Sequence, residues 1–316
     1  MDVEVVGRLL LFFNYGTEAP YLHYGVLDPN DELVHYVGIE LPGPRLPHDM
    51  AITERYAILM DLPLIQDLRA ASEGRHKIVF DRSTPARFGV IPRRGAGSEI
   101  RWFTASPCYI YHAVNAWEEG DEIVMDVCRV KRPAPPPEAR TPLAKMLAYL
   151  RLDAQLWRYR FNLRTGATTE APLDDANTEF PSIDARLVGQ RSRYAYNVHI
   201  SPESTLRFDG LVRYDGVTGE KQTHMFGPGR WGSEAPFAPR DGARAEGDGY
   251  LVTFIQDEAA GRSELAIFDA SDVTRGPVGR VLLPQRVPLG FHGVWIRADQ
   301  LRGAGGVRGA SAGVQS

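Results

Sequence analysis

Three histidines carry the clearest chemical signal in the chain. They are His48 in LPGPRLPHDMAITERYAILMDLPL, His112 in CYIYHAVNAWEEGDEIVMDVCR and His292 in PLGFHGVWI, each in a short, aromatic-rich segment that reads as a strand. Neutral imidazoles brought to one point bind a transition metal. The spacings are 64 and 180 residues, so no helix or single loop can bring the rings together. A metal centre here requires a closed, many-stranded fold. Taken singly, a histidine among aromatics is more often a satisfied core residue than a ligand. Of the others, His23 and His35 occupy strand positions in one hairpin and read as cross-strand residues. His199 in NVHISP reads as a satisfied core or rim histidine. Glu118 and Glu119 in AWEEGD fall at a hairpin turn and are expected to face solvent rather than form a catalytic acid pair. A hydrolytic or sugar-binding function would call for paired carboxylates on an open face, and the sequence shows no convincing pair.

The elements that must position these histidines are β-hairpins. YLHYGVL and ELVHYVGIEL flank Asp28-Pro29-Asn30-Asp31. LWRYRFNLRTGATTEAPL, LVRYDGVTGEKQTHMF and LAIFDASDVTRGPVGRVLL repeat the arrangement of strand, Asp or Asn, turn and second strand. The marking residues Asn162, Asp215 and Asp269 are 53 and 54 residues apart, close to the repeat of a propeller blade. The interval of 134 from Asp28 to Asn162 has room for two such units and an insertion at Arg132. A β-sandwich accounts for the hairpins but not for the period. Two segments break the pattern. RPAPPPEAR (132–140) is a stiff, polyproline-like connector, and TPLAKMLAYLRL after it is a short helical cap. Leu143, Met146, Leu147 and Leu150 give that helix an apolar stripe, buried in a capping helix, with a ligand entrance or membrane contact as the other reading. One domain is expected over 1–300, with a low-complexity, disordered tail over 301–316.

Composition permits this and excludes other classes. The 316 residues are 43% hydrophobic and 24% charged, and 31 Gly and 23 Pro supply many turns. A net charge of −4 without a basic stripe gives no footprint for nucleic acid. Cys108 and Cys128, the two cysteines, do not make a disulfide framework and read as buried, reduced thiols of a cytoplasmic protein. No segment reaches transmembrane length, and VVGRLLLFF follows acidic residues where a signal peptide needs positive charge.

Read together, the histidine segments resemble the carotenoid cleavage oxygenases, a family that includes stilbene-cleaving dioxygenases and retinoid isomerase relatives. The resemblance runs in order through FFNYGTEAPYLHYGVLD, GPRLPHDMAITERYAILMDLPL, YHAVNAWEEGDEIVMD, TEFPSID, GSEAPFAPR and GFHGVWI, from about residue 9 to residue 297. It implies an all-β, seven-bladed β-propeller with Fe(2+) on its axis, held by four histidines. His48, His112 and His292 match the second, third and fourth. Glu179 and Glu234 match two of the family's supporting glutamates, expected behind His112 and His292 respectively. A carboxylate accepting the distal imidazole N–H fixes the tautomer and makes the ligating nitrogen more basic. Phe180, Phe237 and Phe291 are expected to line the substrate site. Tyr109, Tyr111, Trp117 and Trp295 are expected in the core or along a tunnel. The first iron histidine and the glutamate behind His48 belong upstream of residue 1, and none of His23, His35, His76, His199 and His224 lies in a matching motif. The expectation is therefore an incomplete propeller lacking its first blades, either N-terminally truncated or with a mis-assigned start, and with raw sheet edges. The resemblance implies O2 and an apolar polyene as partners, with cleavage of one conjugated C=C bond of a carotenoid or apocarotenoid into two carbonyls. A stilbene substrate, or an inactive propeller that binds an apolar ligand or a partner chain, are the alternatives. Peripheral membrane contact for substrate uptake is a further expectation.

Overall fold

The computed structural model describes residues 3–6, 9–75, 77–130, 133, 140–144, 152–203, 205–298 and 300. Its strands form successive antiparallel sheets, five of them with four or more strands. The first blade is Val3–Val6, Leu9–Tyr15, Tyr21–Leu27 and Leu33–Glu40, paired in chain order. The second is Ala51–Ile52, Tyr56–Asp61, Ala86–Pro92 and Arg101–Ala105. A small hairpin, Leu64–Gln66 with Ile78–Phe80, and the helix Leu68–Ser72 are inserted in it. The third blade is Tyr109–Glu119, Glu122–Val130, Ala154–Asn162 and Thr168–Pro172; the fourth is Thr178–Ser182, Tyr194–Ile200, Phe208–Asp215 and Lys221–Met225. In the fifth, Arg230–Trp231 and Phe237–Pro239 both pair with Gly249–Asp257, followed by Arg262–Asp269 and Pro277–Leu282. This is the all-β propeller architecture, and the sandwich alternative is set aside.

The repeat has a local chemical cause. Each marking residue ends, or in the case of Asp28 directly follows, the next-to-last strand of its blade, and its side chain accepts the amides of the turn that follows. Asn162 Oδ1 accepts from Arg164 and Thr165 at 3.1 and 2.8 Å, and Asp215 Oδ1 from Val217 and Thr218 at 3.0 and 3.2 Å. Asp28 and Asp269 do the same at Asn30 and Ser271. Four residues after Asn162 and Asp215, Gly166 and Gly219 take φ of +78° and +75°, a conformation that side chains with a Cβ resist. The long interval between Asp28 and Asn162 does hold two units, divided at Pro92. There the turn is built differently, with Glu99 Oε2 accepting from Ala96 N at 2.6 Å.

Central strands are buried along most of their length, as Tyr56–Asp61 and Phe208–Asp215 show, so each blade has two faces to cover. Neighbouring blades cover one another. Phe88 of the second packs on Tyr159 and Phe161 of the third, with ring centroids 4.8 and 5.1 Å apart, and Phe103 meets Phe161 at 5.3 Å. These four rings are buried, and burial of a Phe is worth roughly 2–3 kcal/mol each. A second apolar cluster joins the fourth and fifth blades, and a third joins the first and second. Both cysteines are free and buried, as expected. The helix expected over TPLAKMLAYLRL is described only at its start, where Thr141 Oγ1 caps it by accepting from Ala144 N at 3.1 Å and Leu143 is exposed. Met146, Leu147, Leu150, most of the proline connector and the 301–316 tail lie outside the described residues. No described helix is long and apolar enough to cross a membrane.

Candidate metal centre

The first strands of the second, third and fourth blades lie side by side, and the three histidines converge beside them. His48 precedes Ala51–Ile52, His112 lies within Tyr109–Glu119, and His292 follows the last strand of the fifth blade. One nitrogen of each comes within 4.8 Å of the others, the one such group of His, Cys, Asp or Glu side chains among the described residues. The ring of His112 meets those of His48 and His292 edge-on, with centroids at 5.2 and 5.0 Å.

Backbone irregularity aims His112. Pairing between Tyr109–Glu119 and Glu122–Val130 shifts register on both sides of Ala113, so Tyr111 and His112 leave the regular ladder. Such bulges redirect side chains that a flat strand would send elsewhere. His112 Nδ1 is 2.6 Å from Oε2 of Glu179, a fully buried carboxylate on the first strand of the fourth blade. That leaves Nε2 of His112 buried with no hydrogen-bond partner among the described residues, on the side of the other two histidines. A buried nitrogen without a partner is costly unless something outside the protein accepts it. Burial opposes charge on this ring, but Glu179 outweighs it, Asp49 and Glu234 add to the same sign, and the pKa is pushed up to about 9.

His292 is held more loosely. Oε2 of Glu234 lies 3.4 Å from its Nδ1 and accepts from the amide of Gly293 at 2.6 Å. The His292 side chain is 57% exposed, and Phe291 and Trp295 beside it are exposed as well. Each carboxylate thus lies beside the histidine that the resemblance paired it with.

Phe180 occupies the middle of the site. Its φ is +49°, a sparsely populated conformation for an aromatic residue, and it sits where pairing slips between Glu179 and Ser182. The ring contacts His112 at 4.8 Å, Phe208 at 4.9 Å, His292 at 5.4 Å and, stacked, Phe291 at 5.7 Å. With Tyr111, Leu152, Leu206 and Phe291 it walls a cavity of about 330 Å³ on which the three histidines open. Among the described residues no carboxylate lines that wall.

Other expectations resolve differently. Phe237 is not on the cavity wall. It is buried, stacks on Tyr196 at 5.7 Å, and its ring packs over Gly249, because the third residue after Glu234 points back between the fourth and fifth blades. Tyr109 and Trp117 are core residues; Tyr109 donates its hydroxyl to Leu46 O at 2.7 Å. Glu118 does not face solvent: it accepts from Thr53 Oγ1 at 2.8 Å and Arg55 N at 2.9 Å, tying the third blade to the second. Glu119 pairs with Arg160 at 2.6 Å. His199 is a rim residue bonded to Asp209 at 2.6 Å, His23 stacks on Tyr36 and His35 meets Tyr24, as cross-strand residues do. His76 lies outside the described residues. Sequence reasoning passed over Asn115, three residues after His112. It is buried, donates to Leu187 O, Gln190 O and Ser192 Oγ, and accepts from Gly189 N at 3.0 Å. A polar residue inside an otherwise apolar strand was the available signal.

Residues 4–297 match the family model described as RPE65, retinal pigment epithelial membrane protein. The chain is 36% identical over 307 residues to a carotenoid 9,10(9',10')-cleavage dioxygenase of Crocus sativus, covering 92% of this chain and 55% of that one. It therefore spans about half the length of that curated relative. The lignostilbene dioxygenase of Pseudomonas brassicacearum superposes with a TM-score of 0.80 at 28% identity, covering 91% of this chain and 63% of that one. Cobalt-substituted Synechocystis apocarotenoid oxygenase gives 0.78 at 25% identity, with 93% and 60% covered. With propeller blades, convergent histidines and a match over nearly all its residues, the chain belongs to the RPE65 and carotenoid cleavage oxygenase family.

Proposed function

We propose that this chain carries the metal site and part of the substrate cavity of a non-haem Fe(II) dioxygenase that cleaves a conjugated C=C bond of a carotenoid or apocarotenoid into two carbonyl products. The observation that carries the reading is the partnerless, buried Nε2 of His112 facing two further imidazoles at the edge of an apolar cavity. An all-imidazole donor set suits iron among the first-row metals and leaves coordination positions for small ligands. His48, His112 and His292 would hold the ion, and ferrous iron, when bound, supplies the redox chemistry by which both atoms of O2 end on the two carbons of the cleaved bond.

The protein's own residues supply position and dryness. Glu179 keeps the His112 proton on Nδ1 and its Nε2 lone pair toward the metal position; Glu234 does the same, less tightly, for His292. Phe180, Phe291, Leu152 and Leu206 give a flat, apolar surface against which a polyene lies without losing hydrogen bonds to water. Among the described residues the wall holds no carboxylate, and the reaction as written needs no general acid or base of that kind.

A phenolic stilbene is the second reading. It is favoured by Tyr111, the one phenol on the cavity wall among the described residues, and by the fold shared with a lignostilbene dioxygenase. The test is anaerobic loading with Fe(II), then incubation with an apocarotenoid and with a hydroxylated stilbene under 18O2. One iron per chain and 18O-labelled aldehydes from the polyene support the proposal. Aldehydes from the stilbene alone select the second reading. Iron well below one per chain with no carbonyl product overturns both.

A further inference from the structure

His48 and His112 belong to different blades, and among the described residues no backbone ladder joins those two sheets. Something else must set the distance between the two rings, because ligand positions are useful only when held to a fraction of an ångström. Asp49 spans the gap. Its Oδ1 accepts from the amide of Met50 at 2.7 Å, which anchors the carboxylate to its own strand entry. Its Oδ2 accepts from the amide of Ala113 at 2.7 Å, across to the third blade. Ala113 lies between the two register shifts that turn His112 inward. One carboxylate thus ties the residue after His48 to the residue after His112.

We propose that Asp49 is a positioning residue that sets the separation and mutual orientation of His48 and His112; the inference rests on the metal reading of the three histidines. A carboxylate is needed because both partners are N–H donors. Asparagine would turn an NH2 toward one of them and leave that amide unpaired. Charge matters as well, since a charged acceptor makes the stronger bond to a backbone amide.

The test uses the full chain with cobalt(II) alone as probe. Asp49→Asn is expected to weaken cobalt binding by roughly 10-fold or more, the size seen when outer partners of metal ligands are lost, to shift the visible ligand-field bands, and to speed exchange of the Ala113 amide. Asp49→Glu keeps both oxygens one methylene further out and is expected to retain cobalt with shifted bands, which covers an Asn variant that fails to fold. Glu118→Gln loosens another tie between the same blades and is expected to leave the bands unmoved. Unchanged affinity and bands in Asp49→Asn would overturn the proposal. If the unsubstituted chain takes up no cobalt, the metal reading fails instead. Exchange of the Ala113 amide in the metal-free chain then decides the tie, and unchanged protection in Asp49→Asn would refute it.

Discussion

Glu179→Gln separates two effects that the carboxylate has on His112. The substitution keeps the shape of a fully buried side chain but removes the charge 2.6 Å from Nδ1. With Glu179 in place the His112 pKa stands at about 9, so at pH 7 a metal must displace a proton from Nε2. Each pH unit below the pKa is a factor of ten, and the apparent metal affinity at pH 7 is therefore roughly 100-fold below its alkaline plateau. The Gln variant loses the charge, and burial alone then favours the neutral ring. It escapes the proton competition but gives up orientation and basicity, a loss of roughly 10–100-fold. The two effects are of the same size near pH 7 and part company above it. Cobalt(II) titrations in a chelator buffer from pH 6.5 to 8.5 should show nearly equal affinities at the acid end. The unsubstituted chain should gain about tenfold per pH unit while the variant releases one proton fewer per metal bound. Parallel curves for the two proteins would refute the reasoning. The sign for folding is opposite. In the metal-free chain the raised pKa contributes stability that is complete below the unfolded value of about 6.5 and is lost as pH rises through 9. Its melting temperature should therefore fall across that window.

His112→Ala should abolish uptake of one metal per chain, measured by elemental analysis after gel filtration; normal metal content would remove His112 from the ligand set. Phe180→Ala removes a ring that touches two of the histidines and stays at φ +49°. It should cost about 3–5 kcal/mol in urea unfolding, and a loss under 1 kcal/mol would show that the ring is not the hub described. Asn115→Ala leaves the amide of Gly189 and the carbonyl of Gln190 without the partner that Asn115 supplies. A loss of roughly 2–3 kcal/mol and faster hydrogen exchange at Gly189 are expected, and unchanged exchange would count against the role.

What could be read from the residues was set by short-range chemistry. Asn162, Asp215 and Asp269 announce their turns because the side chain that bends the chain is adjacent to the amides it bonds. Pro92 does not, since Glu99 closes that turn from seven residues away, and so the second blade was visible only as an interval. The histidine and glutamate motifs stand in conspicuous segments, and both carboxylates reach their assigned rings. Phe237 was misplaced for a geometric reason. Being near a supporting glutamate in sequence does not say on which side of the strand a ring emerges. Glu118 was misjudged because a residue at a hairpin tip is exposed only if no other blade meets it there, and Thr53 and Arg55 do. The register shifts around Ala113 and the tie to Asp49 are tertiary facts with no pattern of their own in YHAVNAW.

In both supported pairs, the glutamate and the histidine come from segments far apart in the chain: His112 from the third blade with Glu179 from the fourth, and His292 from beyond the fifth with Glu234 inside it. Ion binding and cohesion between blades are consequently linked. An ion at 100 times its dissociation constant adds about 2.7 kcal/mol to the folded state, and here that increment falls on the seams rather than within any sheet. A substitution that weakens a seam far from the cavity, such as the Glu118 contact to Thr53, should lower the stability of the metal-free chain, and saturating ion should restore part of it without any ligand being touched. Saturating metal, in turn, should slow the opening of blades that never contact it.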